Sequence, residues 1–189
     1  LLILKIVQLT VFGLGAGAAH TTGTFNTFLG YQAGYYNNTG QYNTYIGYNA
    51  GYSGIFGSGS NNVFLGNSSG YGNKAGHSNV FLGNKSGYTN NSGFSNIFIG
   101  NSTGYSNTTG NNNVFIGDST GYNSADGAYN TYLGYQSGYK GGYGVSPDPN
   151  YNTLIGYKAG YNFISGEYNT FLGYEAGYGG ASASGNNNV

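Results

Sequence analysis

The chain lacks four residue types altogether, since its 189 residues include no Cys, Met, Trp or Arg. Without Cys there is no disulfide framework and no thiolate metal site, so stability must come from packing and hydrogen bonds. Charged residues make up 5% of the chain and the formal net charge is zero, whereas about 25% of an ordinary globular protein is charged. Because nucleic-acid binding requires a positive patch, we expect no nucleic-acid partner.

Long hydrophobic runs are also missing. The most apolar stretch, residues 1–11, is interrupted by Lys5 and Gln8 and is too short to cross a bilayer, so we predict no membrane-spanning segment. Its alternating apolar residues are typical of a β-strand. We predict an N-terminal β-strand arm within residues 1–20, followed by a separate repeat domain over residues 21–189. The apolar residues assigned to this arm are Leu2, Ile3, Leu4, Ile6, Val7, Leu9, Val11 and Phe12.

Glycine and tyrosine are abundant, with 38 and 22 positions, and glycine marks an internal repeat. The glycine that ends each short apolar segment recurs every 17 residues, except for steps of 19 and 22 residues, which place loop insertions near 53–59 and 141–149. A constant period of this size is typical of architectures in which each unit contacts its neighbours. The repeated glycines are Gly30, Gly47, Gly66, Gly83, Gly100, Gly117, Gly134, Gly156 and Gly173.

Each repeat contains a short β-favouring segment bounded by Asn and Gly, which predicts a strand. An antiparallel meander is the competing topology, but the chain contains no Asn-Gly dipeptide, the strongest signal for tight hairpins. A coil that winds onward would instead place each strand beside its counterpart in the next repeat. We therefore predict an all-β fold, a parallel β-solenoid (β-roll) of about nine 17-residue coils, with the N-terminal arm before it.

Side-chain alternation divides each strand into two faces. We predict that the Leu or Ile at the end of each strand points into the coil, because this position is never polar. Asn and aromatic residues then occupy the other face, where stacked Asn amides can form a hydrogen-bonded ladder. The predicted interior column, here called the core ladder, comprises Leu29, Ile46, Leu65, Leu82, Ile99, Ile116, Leu133, Ile155 and Leu172.

Residues able to perform chemistry are few. His20 and His77 have no acidic neighbour in sequence, and the acidic residues fall at different repeat positions, so no acidic ladder is expected. We predict no catalytic or metal site and no cofactor, and we do not expect an enzyme. Possible N-glycosylation sites occur as Asn-x-Ser/Thr sequences, and three of them follow the strand glycine in consecutive coils. The six are Asn37, Asn67, Asn84, Asn90, Asn101 and Asn107.

The segment from Asn79 to Ser86, Asn-Val-Phe-Leu-Gly-Asn-Lys-Ser, resembles the Asn-Ser-Val-Ala-Ile-Gly repeats of bacterial trimeric autotransporter adhesin heads. Similar Asn-Thr-Phe-Leu-Gly-Tyr repeats look like those of phage tail fibres and other surface fibres. The adhesin heads are left-handed parallel β-rolls that form trimers. The resemblance implies an extracellular or cell-surface location and a fibre or adhesin.

We expect a structural subunit of an extracellular fibre or surface filament that assembles with copies of itself. Head-to-tail contact would use the open coil ends, with the N-terminal strand donated to a neighbouring subunit. The alternative for the strand is a cap on its own first coil. The alternative for the function is a trimeric adhesin head that binds glycans or a host surface, with tyrosine rings stacking on sugars.

Overall fold

The computed structural model describes residues 9–52, 57–144, 148–179 and 183–187. In these residues the chain forms a parallel β-solenoid without helices, which confirms the predicted fold class. Ten strands form one parallel sheet in the order β1-β2-β3-β4-β5-β6-β7-β8-β9-β11, and β10 pairs with β12 on another side of the coil. The strands are β1 Leu9–Phe12, β2 Asn26–Leu29, β3 Thr44–Ile46, β4 Val63–Leu65, β5 Val80–Leu82, β6 Ile97–Ile99, β7 Val114–Ile116, β8 Thr131–Leu133, β9 Thr153–Ile155, β10 Phe163–Ser165, β11 Thr170–Leu172 and β12 Ala183–Ser184.

Every strand of the large sheet pairs in register with the equivalent strand of the next coil. In β5 and β6, for example, Phe81 lies beside Phe98 and Leu82 beside Ile99. The two insertions do not disturb this pairing, since Thr44 still pairs with Val63 and Thr131 with Thr153. Equivalent side chains therefore stack along the solenoid axis at the spacing of paired strands, about 4.8 Å.

The interior contains the residue in the middle of each strand, which is usually Phe. Phe64, Phe81, Phe98 and Phe115 are fully buried, and their rings stack with centroids 4.8–4.9 Å apart. The predicted core ladder is therefore wrong, because its side chains lie on the outer face and are half-buried or exposed. Those residues are Leu29, Ile46, Leu65, Leu82, Ile99, Ile116, Leu133, Ile155 and Leu172.

The inner face also contains the repeated asparagines, and these explain which face turns inward. The Asn96 side-chain amide donates to the Gly110 carbonyl at 2.8 Å, and its Oδ1 accepts the Asn113 backbone N–H at 3.0 Å. The same two bonds recur along the solenoid, so the predicted Asn ladder is confirmed, although it is buried rather than on the outside. A buried amide is stable here because backbone groups of the next coil satisfy it.

Glycine at the end of each strand permits the close approach of successive coils. Gly83 has φ of +134°, a conformation that side chains disfavour, and a Cβ there would collide with the carbonyl oxygen of Gly100. No residue with a Cβ fits at this turn after the strand, which explains why the glycine recurs in every coil.

The described part of the predicted arm belongs to the solenoid. β1 pairs with β2 of the same chain, with Thr10 beside Thr27 and Phe12 beside Leu29. Strand donation to a neighbour is therefore wrong for Leu9, Val11 and Phe12, and the capping alternative is correct for them. Residues 9–25 form an additional coil, whose sequence signal is the match of Gly13 and Ala16-Gly17 to Gly30 and Ala33-Gly34. The remaining arm residues, Leu2, Ile3, Leu4, Ile6 and Val7, lie outside the described residues.

The second insertion is joined to the solenoid by the carboxylate of Asp148. In the preceding coil, three consecutive backbone N–H groups, those of residues 108–110, share the carbonyl oxygen of Ala125. One coil later, Asp148 Oδ2 accepts the N–H groups of Ala125 and Asp126 instead. Asp126 and Asp148 thus occupy equivalent positions in adjacent coils, so the prediction that the acidic residues fall at different positions is wrong for this pair. Burial, followed by the nearby Asp126 carboxylate, raises the pKa of Asp148 to about 6.

The interior assignment predicts unequal losses of stability for substitutions at two neighbouring residues. Phe98→Ala should lower the free energy of unfolding by about 3–5 kcal/mol, because it leaves a cavity in the stacked interior. Ile99→Ala, at a half-buried position on the outer face, should cost about 1 kcal/mol. Urea denaturation followed by circular dichroism measures both, and a larger loss for Ile99→Ala would contradict the assignment.

Asp148 predicts a dependence of stability on pH. Its pKa is about 6 in the folded chain and 3.8 ordinarily, so the folded state binds more protons between these values. The free energy of unfolding should therefore fall as pH rises from 4 to 6, on the order of 2 kcal/mol after allowance for solvent screening. Asp148→Asn should remove this slope, while Asp118→Asn, at an exposed site, should keep it. Equal slopes in all three proteins would contradict the role of Asp148.

Candidate functional site

The candidate functional site is the outer face of the ten-stranded sheet. Each strand places two side chains there: its last residue, a Leu, Ile or Phe, and the Thr, Val or Ile two residues earlier. One flank of this outer sheet face is formed by the residue before each buried ladder Asn, such as Tyr42 and Tyr129. The other flank is formed by the residue after each strand glycine, such as Tyr48 and Tyr135.

Most of the exposed large apolar side chains of the described residues lie on this face. Of the nineteen exposed large hydrophobic residues in the described chain, all but Val11 and Tyr143 belong to it. Leu65 is 45% exposed and Val63 is 40% exposed, in the centre of the sheet. A contiguous apolar patch of this kind is unusual on a monomeric protein and indicates an interaction surface.

The outer sheet face differs between its middle and its two ends. In β4 to β7 the strands begin with Val or Ile, and the flanks are Asn or Ser, with Asp118 beside β7. In β2, β3, β8, β9 and β11 the first outward-facing residue is Thr and the flanks are aromatic. The flanking rings stack on one another, as in Tyr129–Tyr151 and Tyr151–Tyr168, each with centroids 4.9 Å apart.

Charge is nearly absent from the outer sheet face. Asp118 is the one charged residue in its four columns, as far as the described residues extend. Lys158 lies at the edge, where its Nζ is 5.3 Å from the ring centroids of both Tyr157 and Tyr161, a cation–π arrangement. A partner of this face therefore meets a neutral, apolar surface rather than an electrostatic one.

The stacking of the flanking tyrosines limits what they can bind. Sugar rings are recognised by the open face of an aromatic ring, but the neighbouring coils cover both faces of Tyr151. For a ring inside such a column, only the ring edge and the hydroxyl remain accessible. This geometry favours contact with another flat apolar surface over stacking on a glycan.

The six predicted glycosylation sites separate into two groups. Asn37, Asn90 and Asn107 are buried, and their side chains hydrogen-bond within the coil, as in the Asn107 Nδ2 to Asn90 Oδ1 bond of 2.7 Å. Asn67, Asn84 and Asn101 are exposed on the flank of the outer sheet face. The spacing of the sequence motif alone does not separate these groups.

The two histidines have structural contacts. His20 takes the position of Asn37 one coil earlier, and its ring nitrogens lie 2.9 Å from the Asn37 carbonyl and 2.8 Å from the Gly23 carbonyl. His77 stacks on Phe94 at 5.0 Å. The described residues contain no group of three or more His, Cys, Asp or Glu side chains placed to bind a metal ion.

Two further findings bear on function. No helix in the described part of the chain is long and apolar enough to span a membrane. No protein-family model, no curated protein and no solved structure matches this chain. The resemblance to adhesin and fibre repeats therefore rests on the repeat motif alone.

Proposed function

We propose that this protein is a structural subunit of an extracellular fibre or surface filament, in which copies pack through the outer sheet face. The observation that carries the proposal is the concentration of exposed apolar side chains on one regular, nearly uncharged face. Covering an apolar surface of this extent with a second surface removes it from water, which favours association. The repeated coils supply a stiff rod, and the face supplies the contact between rods.

The size of the face matches a stable protein interface. Ten strands at about 4.8 Å spacing extend about 43 Å, and about six residues across give a width near 20 Å. The product is on the order of 800 Å² per copy, close to the contribution of each partner to a standard interface. A second copy of the same face is complementary to it, because both are neutral and both have the same strand spacing.

Contact through the face replaces strand donation as the basis of assembly. Leu9–Phe12 pair with β2 as the first strand of their own sheet, so they are not an arm inserted into a neighbouring chain. The alternative function, a trimeric adhesin head, would use the same face between three copies. It is less favoured as a glycan-binding site, because inner rings of the flanking columns, such as Tyr151 and Tyr157, are covered on both faces by their neighbours.

Charge placed on the face tests the proposal. The double variant Val63→Lys, Ile97→Lys should abolish self-association, because two ammonium groups would have to be desolvated at each contact. Its matched control is Ala75→Lys, Thr109→Lys, which adds the same charge at exposed turn positions that are also two coils apart. Analytical ultracentrifugation and electron microscopy measure the outcome, and circular dichroism verifies that both variants keep the fold.

The expected result is that wild type and the turn variant associate and the face variant is a monomer. Filaments or oligomers that persist in the face variant would contradict the proposal and indicate association through the coil ends. A wild type that is monomeric at high concentration would contradict self-association altogether. A discrete trimer that the face variant dissociates would favour the adhesin-like arrangement.

We also propose that N-glycans, where the chain passes through a glycosylating compartment, are confined to Asn67, Asn84 and Asn101. These side chains are exposed beside the face, whereas those of Asn37, Asn90 and Asn107 are enclosed by the coil. Glycans on adjacent coils, about 4.8 Å apart, would crowd each other, so partial occupancy is expected.

Glycopeptide mapping of folded protein from a eukaryotic secretory host tests this assignment. Glycan should be found at Asn67, Asn84 or Asn101 and at none of the other three sequences. Modification of Asn90 or Asn107 in the folded fraction would contradict the buried positions. An intact mass equal to that of the bare 19.7 kDa chain would contradict glycosylation.

A further inference from the structure

One side of the solenoid carries an unbroken stack of tyrosine rings, here called the Tyr ladder. Each of nine consecutive coils contributes one ring, and adjacent ring centroids are 4.9–5.5 Å apart. The stack continues through both insertions, with 5.0 Å between Tyr52 and Tyr71 and 5.1 Å between Tyr139 and Tyr161. Its members are Tyr35, Tyr52, Tyr71, Tyr88, Tyr105, Tyr122, Tyr139, Tyr161 and Tyr178.

The Tyr ladder differs from the other aromatic columns. The interior column is mostly Phe and is interrupted by Leu154, and both flanks of the outer sheet face change from aromatic to Asn or Ser in the middle coils. The Tyr ladder alone keeps a phenol in each of its nine coils. Packing requires an aromatic ring at these positions, but it does not require a hydroxyl in all nine.

The chain offers no residue type that competes with tyrosine for one-electron oxidation. It has no Trp, Cys or Met, so the phenol of tyrosine is its most readily oxidised side chain. The rings of the Tyr ladder are half-buried, covered above and below by their neighbours and open to solvent at the edge. Burial, followed by the neighbouring phenols, raises the pKa of Tyr88 and Tyr122, so both stay protonated at neutral pH.

We propose that the Tyr ladder carries oxidising equivalents along the solenoid. A one-electron oxidant, such as a metal-centred or peroxide-derived oxidant, removes one electron from a Tyr phenol, whose proton passes to water and leaves a neutral tyrosyl radical. The next ring then gives an electron to that radical. The phenolate so formed takes a proton from water and the newly oxidised phenol releases one, so the radical moves one coil with no net change.

Two features of the geometry favour this movement. Adjacent rings are nearly parallel, with interplanar angles of 3° for Tyr88–Tyr105 and Tyr105–Tyr122, so their π systems overlap. The donors and acceptors are chemically identical residues in repeated surroundings, so the steps from Tyr35 to Tyr139 are close to isoenergetic. Tyr161 differs from these rungs, because Lys158 Nζ and Lys140 Nζ lie 5.3 and 5.9 Å from its ring centroid and make this ring harder to oxidise than its neighbours.

The experiment begins with an oxidant at one end of the Tyr ladder. Ala18 occupies the equivalent position one coil before Tyr35 and is exposed. Since the chain has no Cys, Ala18→Cys gives a unique attachment site for a ruthenium polypyridyl photosensitiser. Illumination with persulfate generates the one-electron oxidant there, a nitroso spin trap captures tyrosyl radicals, and peptide mass spectrometry locates the adducts.

The expected result is adduct formation as far as Tyr178. Eight spacings at about 4.8 Å place Tyr178 about 38 Å from Tyr35, beyond direct contact with the tethered dye. Mixing the labelled protein with isotope-labelled wild type separates transfer within a chain from diffusing oxidant. Adducts restricted to the dye-bearing chain support the proposal, and equal adducts on both chains would overturn it.

A blocked ladder provides the decisive comparison. The triple variant Tyr88→Phe, Tyr105→Phe, Tyr122→Phe keeps the stacked rings but removes three consecutive phenols. Adducts at Tyr139, Tyr161 and Tyr178 should then be lost, while those at Tyr35, Tyr52 and Tyr71 remain. The matched control, Tyr129→Phe, Tyr151→Phe, Tyr168→Phe, removes three phenols from a flank of the outer sheet face and should leave the far adducts unchanged.

Circular dichroism and urea denaturation verify that both triple variants keep the solenoid. Far adducts that persist in the blocked ladder would overturn the proposal, as would adducts confined to the first two rungs in the unblocked protein. Equal loss in the control variant would also overturn it, because the effect would then follow the number of phenols and not their place in the Tyr ladder.

Discussion

The registry of parallel strands is the constraint on which the rest of the structure depends. Because each coil rises by one strand spacing, every side chain lies directly beside its equivalents in the coils above and below. A residue type is therefore suitable only if it packs or hydrogen-bonds well with a copy of itself. Asn satisfies this condition through amide ladders, aromatic residues through ring stacking, and Gly through the close approach of successive corners.

The same constraint accounts for the scarcity of charge. Like charges stacked at about 5 Å repel one another, so a charged residue is tolerated when its neighbours along the axis are neutral or opposite. Lys158 lies one coil from Glu175, and the described residues place like charges in adjacent coils at Asp126 and Asp148. At that pair the pKa of Asp148 is raised, with burial as the larger cause and Asp126 contributing. The Asp148 carboxylate accepts the backbone N–H groups of Ala125 and Asp126, and these hydrogen bonds offset part of the repulsion between the two carboxylates.

A surface built without charge is necessarily rich in neutral and apolar columns. Elsewhere on the described solenoid the turns present backbone, small polar groups and the ring edges of the Tyr ladder, whereas the outer sheet face presents exposed Leu, Ile, Val and Tyr. The proposed self-association follows from this arrangement, since another flat face is the natural cover for such a surface. The Tyr ladder arises from the same registry, which turns a repeated half-buried phenol into a continuous stack along the rod.

The sequence by itself determined the parallel solenoid, its period and the places of the insertions, because strands that pair in register in successive coils require a repeat of constant length, here 17 residues. It also showed that Asn would form a ladder. Only the tertiary structure decided which face turns inward, since Leu82 and Phe81 are both apolar and alternation alone does not distinguish them. The side-chain amides of Asn79 and Asn96 donate to backbone carbonyls of the next coil, so these side chains point into the coil. Phe81 follows Asn79 by two residues and therefore lies on the same inner face of the strand. Because the Asn and Phe side chains point inside, the alternating residues of the predicted core ladder lie on the outer sheet face. The pairing of Leu9–Phe12 with β2 of the same chain likewise depends on contacts between coils, which the alternation of apolar residues in one strand does not specify.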